Sequence, residues 1–206
     1  EALDGAVKEY VRAQMTNADR PEAHMNIGLI YAELGRFSEA EAQYHTAMRL
    51  QPSFIPAFVN LADIYRMEGR DADGETLLRS ALEISPESGD VYHALGLLLV
   101  RQNKIPEAMD AFEQSVRLSP DNARYSYVYA VALNDTGEKS ESIRVLKEAH
   151  ERHPGDRGLL YALINFSREI GDIPAAVEYA EELTEFSPHD PDAARLLDEL
   201  KMDGNR

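Results

Sequence analysis

The chain has 206 residues, and its 37 acidic side chains outnumber 21 basic ones to give a formal net charge of −16 at pH 7. This charge opposes binding to a nucleic-acid backbone, which needs clustered lysine and arginine, so we predict no nucleic-acid partner. The lack of cysteine excludes disulfides, thiolate metal ligands and a cysteine nucleophile. The longest apolar run, 94–100, is too short to cross a bilayer, and we predict no membrane insertion.

Five prolines stand at a constant spacing. Pro52, Pro86, Pro120, Pro154 and Pro188 follow one another at intervals of 34 residues. A single globular core has no reason to keep such a spacing, whereas a repeat protein does. We therefore predict one array over 1–206, in which five full repeats occupy 21–54, 55–88, 89–122, 123–156 and 157–190. Position numbers below refer to the place of a residue within its repeat.

The segment 1–20 comes before the first full repeat. One period back, Ala6, Tyr10 and Ala13 stand at positions 20, 24 and 27, so the segment is predicted to be the second helix of a truncated repeat. Such a helix exposes a face that normally packs on a neighbour, which makes self-association through it an alternative role. We interpret the chain as the end of a longer array; its compartment, cytoplasmic or periplasmic, stays open.

Each repeat is predicted to be a helical hairpin. Apolar residues at positions 4, 7, 8 and 11 share one face of a first helix, and positions 20, 24 and 27 repeat that spacing on a second helix. Small residues at positions 8 and 20 let the two helices approach closely. A helix often ends on a left-handed residue, usually Gly and sometimes Asn. Position 15, at the predicted turn, carries Gly35, Gly69, Asn103, Gly137 and Gly171.

The last part of the chain departs from this pattern. The fifth repeat has unexpected residue types at four core positions, Ile164, Ser167, Ala180 and Leu183. We therefore expect looser or shifted packing there. The remaining segment, 191–206, is predicted to be a capping helix and tail, in which Ala194, Leu197 and Leu200 face inward and charged residues face outward.

These spacings resemble the tetratricopeptide repeat, a 34-residue helix–turn–helix unit with the pattern W-x2-L-G-x2-Y, then A-x3-F, then P. The third repeat reads Tyr92-x2-Leu95-Gly96-x2-Leu99, then Ala108-x3-Phe112, then Pro120. The match covers 21–190 without a slip in register. The resemblance implies an all-α fold, a right-handed superhelical α-solenoid of stacked hairpins, and bacterial arrays of this kind are often parts of longer proteins.

The resemblance also implies where a protein or peptide partner binds. In such arrays the first helices line a concave groove through roughly positions 2, 5, 9, 12 and 13. The implied partner-binding residues are Met25, Leu29, Val59, Asp63, Arg66, His93, Leu97, Arg101, Tyr127, Val131, Asn134, Tyr161, Asn165 and Arg168. Two structural alternatives stay open: the apolar side chains pack between adjacent helices, and the arginines of this zone, Arg124 included, form ion pairs within the chain.

Catalytic and cofactor motifs are not evident. The sequence lacks a P-loop, G-x-G-x-x-G and G-x-S-x-G. His150 and His153 have a metal-like spacing, but they lie at the end of a predicted helix, where the helix dipole favours histidine. We predict a non-catalytic scaffold for protein–protein interaction, without cofactor or metal. The alternative is a self-association or intramolecular docking module of a larger protein, such as a multihaem cytochrome or a transferase.

Overall fold

The computed structural model describes residues 11–13, 16 and 18–203, and every regular element in this part of the chain is helical. After a short helical stretch at 11–13, eleven helices follow in the described residues. They are α1 (Pro21–Glu33), α2 (Phe37–Leu50), α3 (Ile55–Met67), α4 (Asp71–Ile84), α5 (Gly89–Arg101), α6 (Ile105–Leu118), α7 (Ala123–Asp135), α8 (Lys139–Arg152), α9 (Arg157–Glu169), α10 (Ile173–Phe186) and α11 (Pro191–Asp203). Odd-numbered helices up to α9 are first helices of hairpins, and even-numbered helices are second helices.

The chain divides into two compact units, which we call unit 1 (1–115) and unit 2 (116–206), and the boundary falls inside α6. In unit 1, α1 packs against α2, α3 against α4, and α3 also contacts the first helices α1 and α5. In unit 2, α7 packs against α8, α9 against α10, and α11 packs on α10. The predicted all-α arrangement of packed helical hairpins is therefore confirmed within each unit.

All five hairpin turns use the predicted left-handed residue at position 15. Asn103 has a φ of 59°, and the four glycines at this position also have positive φ. The amide of the next residue donates to the carbonyl of position 11, as Arg36 does to Tyr31 at 2.8 Å and Lys104 does to Leu99 at 2.9 Å. This hydrogen bond closes the first helix and sets the direction in which the second one starts.

The residues at positions 8 and 24 of a hairpin compensate each other in size. A Cβ added to Gly28 would lie 2.5 Å from Tyr44 Cε1, and a Cβ added to Gly96 would lie 2.5 Å from Phe112 Cε1. An aromatic ring at position 24 therefore requires glycine at position 8. The other hairpins pair a larger residue at position 8 with an aliphatic one at position 24, and all of these are buried: Ala62 with Leu78, Ala130 with Leu146, and Ile164 with Ala180.

Of the looser or shifted packing expected in the fifth repeat, the looser packing is not observed. Ile164, Ala180 and Leu183 are fully buried in one core cluster, and Ser167 is 1% exposed. The large residue of the position 8 and 24 pair stands on the first helix here and the small one on the second. This exchange conserves the volume of the pair, and volume-conserving changes are well tolerated in a core.

The first helices bury one position more than the sequence pattern predicted. Position 3 is buried in all five repeats, where it carries Ala23, Ala57, Val91, Tyr125 and Leu159. In the capping helix α11, Ala193 occupies the equivalent place and is fully buried, whereas Ala194, which was predicted to face inward, is exposed. Asp190 accepts hydrogen bonds from the amides of Asp192 at 2.9 Å and Ala193 at 3.4 Å. This cap fixes the start of α11.

The predicted helix in 1–20 lies mostly outside the described residues. Of its three proposed packing residues, Ala6, Tyr10 and Ala13, the structure describes Ala13 alone, and this residue is exposed. The interpretation of a truncated repeat and the boundaries of the repeats stay predictions.

Candidate partner-binding surface

Two surfaces hold the predicted partner-binding residues, one in each unit. The unit 1 surface consists of positions 5, 9, 12 and 13 of α1, α3 and α5. The unit 2 surface consists of the same positions of α7 and α9. Positions 5, 9 and 12 are separated by four and three residues, so they share one face of a helix. Within each unit the first helices contact one another.

The apolar residues of the unit 1 surface differ in exposure. Leu29 is 36% exposed, whereas Met25 is half-buried and packs on the core cluster that contains Tyr44. Val59 and Leu97 are half-buried as well. Packing between helices, one of the alternatives that the sequence left open, therefore accounts for part of this apolar area.

His93 does not belong to the open surface. Its side chain is 7% exposed, and its ring centroid lies 6.0 Å from that of Phe112. His93 stands one turn before Gly96, where the Phe112 ring occupies the space that a glycine leaves free. The same ring packs beside the imidazole, and little of the His93 side chain reaches solvent, so the prediction that His93 contacts a partner directly is corrected.

Two exposed apolar side chains of unit 1 were missing from the predicted contacts. Met67, at position 13 of α3, is 57% exposed, and Val100, at position 12 of α5, is 42% exposed. Both positions belong to the predicted groove, so position alone was the signal that could have found them.

Arginines of the unit 1 surface form ion pairs within the chain. Arg66 Nη2 lies 3.1 Å from Asp63 Oδ1, one turn earlier in α3. Arg101 Nε lies 2.9 Å from Asp71 Oδ1 at the start of α4, and this pair joins consecutive repeats. Intramolecular pairing is thus observed for both arginines. In unit 2, Arg168 is exposed.

On the unit 2 surface, Tyr127 is 40% exposed and lines a recess of about 200 Å³ between the first turns of α7 and α9. Arg124 and Asp156 also line this recess. Asp156 caps α9 by accepting a hydrogen bond from the Leu159 amide at 2.9 Å. Arg124 is exposed and, within the described residues, makes no hydrogen bond or ion pair. The recess therefore combines an open aromatic ring with an available positive charge.

Tyr161, at the same position as Tyr127 but in α9, is half-buried. It packs against the core cluster of α9 and α10, and the guanidinium carbon of Arg157 lies 5.9 Å from its ring centroid. A hydrogen bond with Tyr161 and the charge of Asp190 raise the pKa of Arg157 above its ordinary value. Removing the whole Tyr161 ring would therefore disturb the core as well as any contact with a partner.

Asn134 is held by an acidic residue of the next repeat. Its amide donates to Glu169 Oε2 at 3.0 Å, and Lys139 Nζ donates to Glu169 Oε1 at 2.6 Å. These two hydrogen bonds, that from Lys139 above all, lower the pKa of Glu169. Of the other predicted residues, Val131 is half-buried and Asn165 is exposed.

The histidines with metal-like spacing have other surroundings. His150 Nε2 lies 3.0 Å from Glu182 Oε2 in α10. Among the residues that the structure describes, no three His, Cys, Asp or Glu side chains converge in a way that could hold a metal ion. In the same part of the chain, no helix combines the length and the apolar character needed to cross a membrane.

Helical hairpins that repeat along the chain and pack on one another define a helical repeat scaffold, a class of protein that binds other proteins. Sequence profiles described as Tetratricopeptide repeat match residues 21–54, 53–121 and 93–157, which together span 21–157. The chain belongs to the tetratricopeptide repeat family.

Solved structures of other proteins share this fold. Yeast Tom70 is 18% identical, with a TM-score of 0.83 over 97% of this chain and 43% of that chain. YrrB, described as a TPR protein with an unusual peptide-binding site, is 18% identical, with a TM-score of 0.60 over 90% of this chain and 96% of that chain. Identities this low show the fold alone.

A relative known from its sequence is the human protein O-mannosyl-transferase TMTC3. It is 27% identical over 205 residues, which cover 92% of this chain and 22% of the transferase. The chain thus spans less than a quarter of the length of the human and mouse forms of this relative.

Proposed function

We propose that this array is a non-catalytic scaffold that binds segments of partner proteins on the unit 1 and unit 2 surfaces. The observation that supports this proposal is the exposure of large apolar side chains at surface positions. Leu29, Met67, Val100 and Tyr127 are 36%, 57%, 42% and 40% exposed, although core positions on the same helices are buried. Apolar side chains that the core does not use, with charged residues around them, are typical of a protein-binding surface.

The ion pairs indicate which contacts each surface offers. Arg66 and Arg101 are occupied by Asp63 and Asp71, so the unit 1 surface contributes mainly apolar contacts. Next to the unit 2 surface, Arg124 stands at position 2 of α7 beside Tyr127 and the recess, and it has no partner among the described residues. We infer that it pairs with a carboxylate of the bound segment, since guanidinium–carboxylate hydrogen bonds are among the strongest in proteins.

The test is the substitution Tyr127→Ala, measured against a partner captured by photo-crosslinking from position 165, since Asn165 is exposed on the same surface. We expect the affinity to fall about tenfold or more, because an exposed aromatic anchor commonly contributes more than about 1.4 kcal/mol to binding. The thermal unfolding midpoint should stay nearly unchanged, since the ring lies outside the core. Tyr161→Phe is the suitable companion variant, because it removes the hydroxyl and keeps the ring that packs in the core.

Lys147→Ala serves as the matched control, because Lys147 is exposed on the second helix α8 and has no partner among the described residues. It should leave the affinity unchanged. If Tyr127→Ala bound every captured partner as tightly as the original protein, the assignment of the unit 2 surface would be wrong.

A second candidate function is the recruitment of protein substrates to a catalytic part of a larger protein. The similarity to TMTC3, a protein O-mannosyl-transferase, over 92% of this chain and 22% of the transferase supports this candidate. Deleting the array from the full-length protein should then raise KM for a protein substrate and leave KM for a small acceptor unchanged. Equal changes for both substrates would argue against recruitment.

Self-association through 1–20 is a separate alternative. Sedimentation velocity at increasing protein concentration should show a dimer that disappears when 1–16 is deleted. A monomer at every concentration would exclude this role.

A further inference from the structure

Unit 1 contains a second recess, on the side of its second helices. It has a volume of about 310 Å³, with walls from α4 and α6 and a floor from α5. Leu82, Tyr92 and Ala111 contribute to its apolar lining, and Glu107 and Asp110 stand on the α6 side. The unit 1 surface consists of positions 5, 9, 12 and 13, and none of them lines this recess.

Ala111 stands at position 23 of its repeat, and two other repeats carry much larger side chains at this position. In the second repeat, position 23 is Leu77, which packs on the core cluster together with Met48 of the preceding repeat. In the fifth repeat, position 23 is Tyr179, whose ring meets that of His150 edge-on with centroids 5.9 Å apart. In the third repeat, position 23 is Ala111. The recess thus lies where the third repeat has a methyl group and the second and fifth repeats have a leucine and a tyrosine at the equivalent position.

We propose that this recess is a binding site for a partner segment that inserts one large apolar side chain. Leu77 and Tyr179 show that an interface of this geometry accepts a branched aliphatic side chain or an aromatic ring. The recess is open to solvent on one side, so a side chain from another protein can enter where the chain itself supplies only a methyl group. Filling it would remove apolar surface of Leu82 and Tyr92 from water, which is favourable.

The charges at the rim indicate that the inserted residue has a basic neighbour. Arg79 lies within hydrogen-bond distance of both Glu75, at 2.8 Å, and Glu107, at 3.0 Å. Asp110 is exposed and, within the described residues, has no hydrogen bond or ion pair. A lysine or arginine next to the apolar anchor would pair with Asp110, and the net charge of −16 favours a basic segment at long range as well.

The test is a titration of the ¹⁵N-labelled chain with the peptide acetyl-Lys-Tyr-Leu-Lys-amide, followed by NMR. We expect saturable shift changes at the amides of Asp110, Ala111 and Tyr92. Acetyl-Glu-Tyr-Leu-Glu-amide should bind about tenfold more weakly, because it places acids beside Asp110. Asp110→Asn should weaken binding of the lysine peptide and reduce the difference between the two peptides.

The decisive variant is Ala111→Leu, which restores the side chain found at position 23 of the second repeat. It should weaken binding of the lysine peptide tenfold or more and leave the fold intact, because it fills an existing space. Ala72→Leu is the matched control, since it adds the same side chain at an exposed place on α4. If Ala111→Leu does not fold, Ala111→Met makes the same test with a more adaptable side chain.

The proposal is overturned if folded Ala111→Leu binds the lysine peptide as the original chain does. It is also overturned if both peptides bind equally, if the shift changes lie away from the recess, or if no saturable change occurs. Shift changes at the recess that grow with protein concentration in the absence of peptide would assign it to a second copy of this chain instead. The result is independent of the Tyr127 test, because the two sites share no residue.

Discussion

Unit 1 and unit 2 join consecutive repeats through an ion pair at the same place but with opposite polarity. In unit 1, Asp71 at position 17 pairs with Arg101 at position 13 of the next repeat, 2.9 Å apart. In unit 2, Lys139 at position 17 pairs with Glu169 at position 13 of the next repeat, 2.6 Å apart. The backbone geometry of the repeat brings these two positions together. An ion pair forms whether the acidic residue stands at position 17 or at position 13. The repeat therefore constrains the pair and not the individual residue.

The size of core residues follows the same rule. In unit 1, Gly96 is combined with the Phe112 ring, whereas in unit 2 the bulky Ile164 on the first helix is combined with Ala180 on the second. In each hairpin, positions 8 and 24 together fill the space between the two helices, but the larger side chain can stand on either helix. This explains why single positions of the repeat vary while the helix lengths do not.

The two units differ in a further ion pair between repeats. In unit 1, position 16 pairs with position 21 of the preceding repeat. Arg70 Nη1 lies 3.1 Å from Glu41 Oε2, and Lys104 Nζ lies 2.7 Å from Glu75 Oε2. In unit 2 the corresponding positions hold Asp172 and Ile143, which cannot form such a pair. Unit 1 thus has ion pairs at a place where the residues of unit 2 cannot form them.

The largest expected effect comes from breaking the size compensation. Gly96→Ala places a Cβ 2.5 Å from Phe112 Cε1, and this ring is 1% exposed and cannot move away. We expect overpacking to lower the free energy of unfolding by about 1–3 kcal/mol. The better helix propensity of alanine offsets about 1 kcal/mol of this loss. The double variant Gly96→Ala with Phe112→Leu copies the Ala130 and Leu146 pair and should recover most of the loss. Urea unfolding of the two single variants and the double variant measures this coupling, and purely additive losses would contradict size compensation.

A smaller effect concerns the additional ion pair of unit 1. The hydrogen bonds and charges of Lys104 and Arg79 lower the pKa of Glu75 to about 2. The pKa of a glutamate in an unfolded chain is about 4.3. The ionised form of Glu75 therefore stabilises the fold above that pH, and this contribution is lost as the pH falls toward 2. Both cations are substantially exposed, and we expect a contribution of about 1 kcal/mol.

Glu75→Gln should therefore lower the urea midpoint at pH 7, and the midpoints of the variant and the original chain should converge as the pH approaches 2. Glu83→Gln is the control on the same helix, because Glu83 is exposed and has no partner among the described residues. A difference between Glu75→Gln and the original chain that stayed constant from pH 7 to pH 2 would show that the ion pair does not stabilise unit 1.

The smallest expected effect tests the reversed polarity directly. Asp71→Lys places a second cation beside Arg101, and we expect a loss of about 0.5–1 kcal/mol because the pair is near the surface. Adding Arg101→Glu reproduces the charges of Lys139 and Glu169 in unit 2 and should recover part of this loss. Recovery is incomplete because Asp71 also lies at the start of α4, where an acidic residue is favoured by the helix dipole. A double-mutant cycle in low and high salt measures the coupling, and a coupling of zero would rule out interchangeable polarity.

Much of each hairpin could be predicted from the sequence. The turn at Asn103 follows from the left-handed preference of Gly and Asn, and the observed φ of 59° confirms it. The burial of position 3 and the inward turn of Ala193 were missed. They depend on packing against a neighbouring repeat, as when α3 packs on both α2 and α4, and a pattern derived from one hairpin does not include that contact.

The candidate surface was less predictable than the fold. Position 5 carries His93, Tyr127 and Tyr161, which the sequence treats as equivalent. His93 is buried beside Phe112, Tyr161 packs on a core cluster, and Tyr127 is 40% exposed. The pairing of the arginines was equally hard to predict, because an acidic residue that is close in space can be distant in sequence. Asp71, which pairs with Arg101, belongs to the preceding repeat.

The sequence by itself determined the period, the helical hairpins, their turns and the face on which each position lies. These features depend on hydrophobic spacing and on local backbone preferences, which a single repeat already contains. Only the tertiary structure decided which equivalent residues are open to a partner, which charges are already paired and where Ala111 leaves a recess. Those outcomes depend on the size and charge of side chains contributed by adjacent helices, and the period alone carries no information about them.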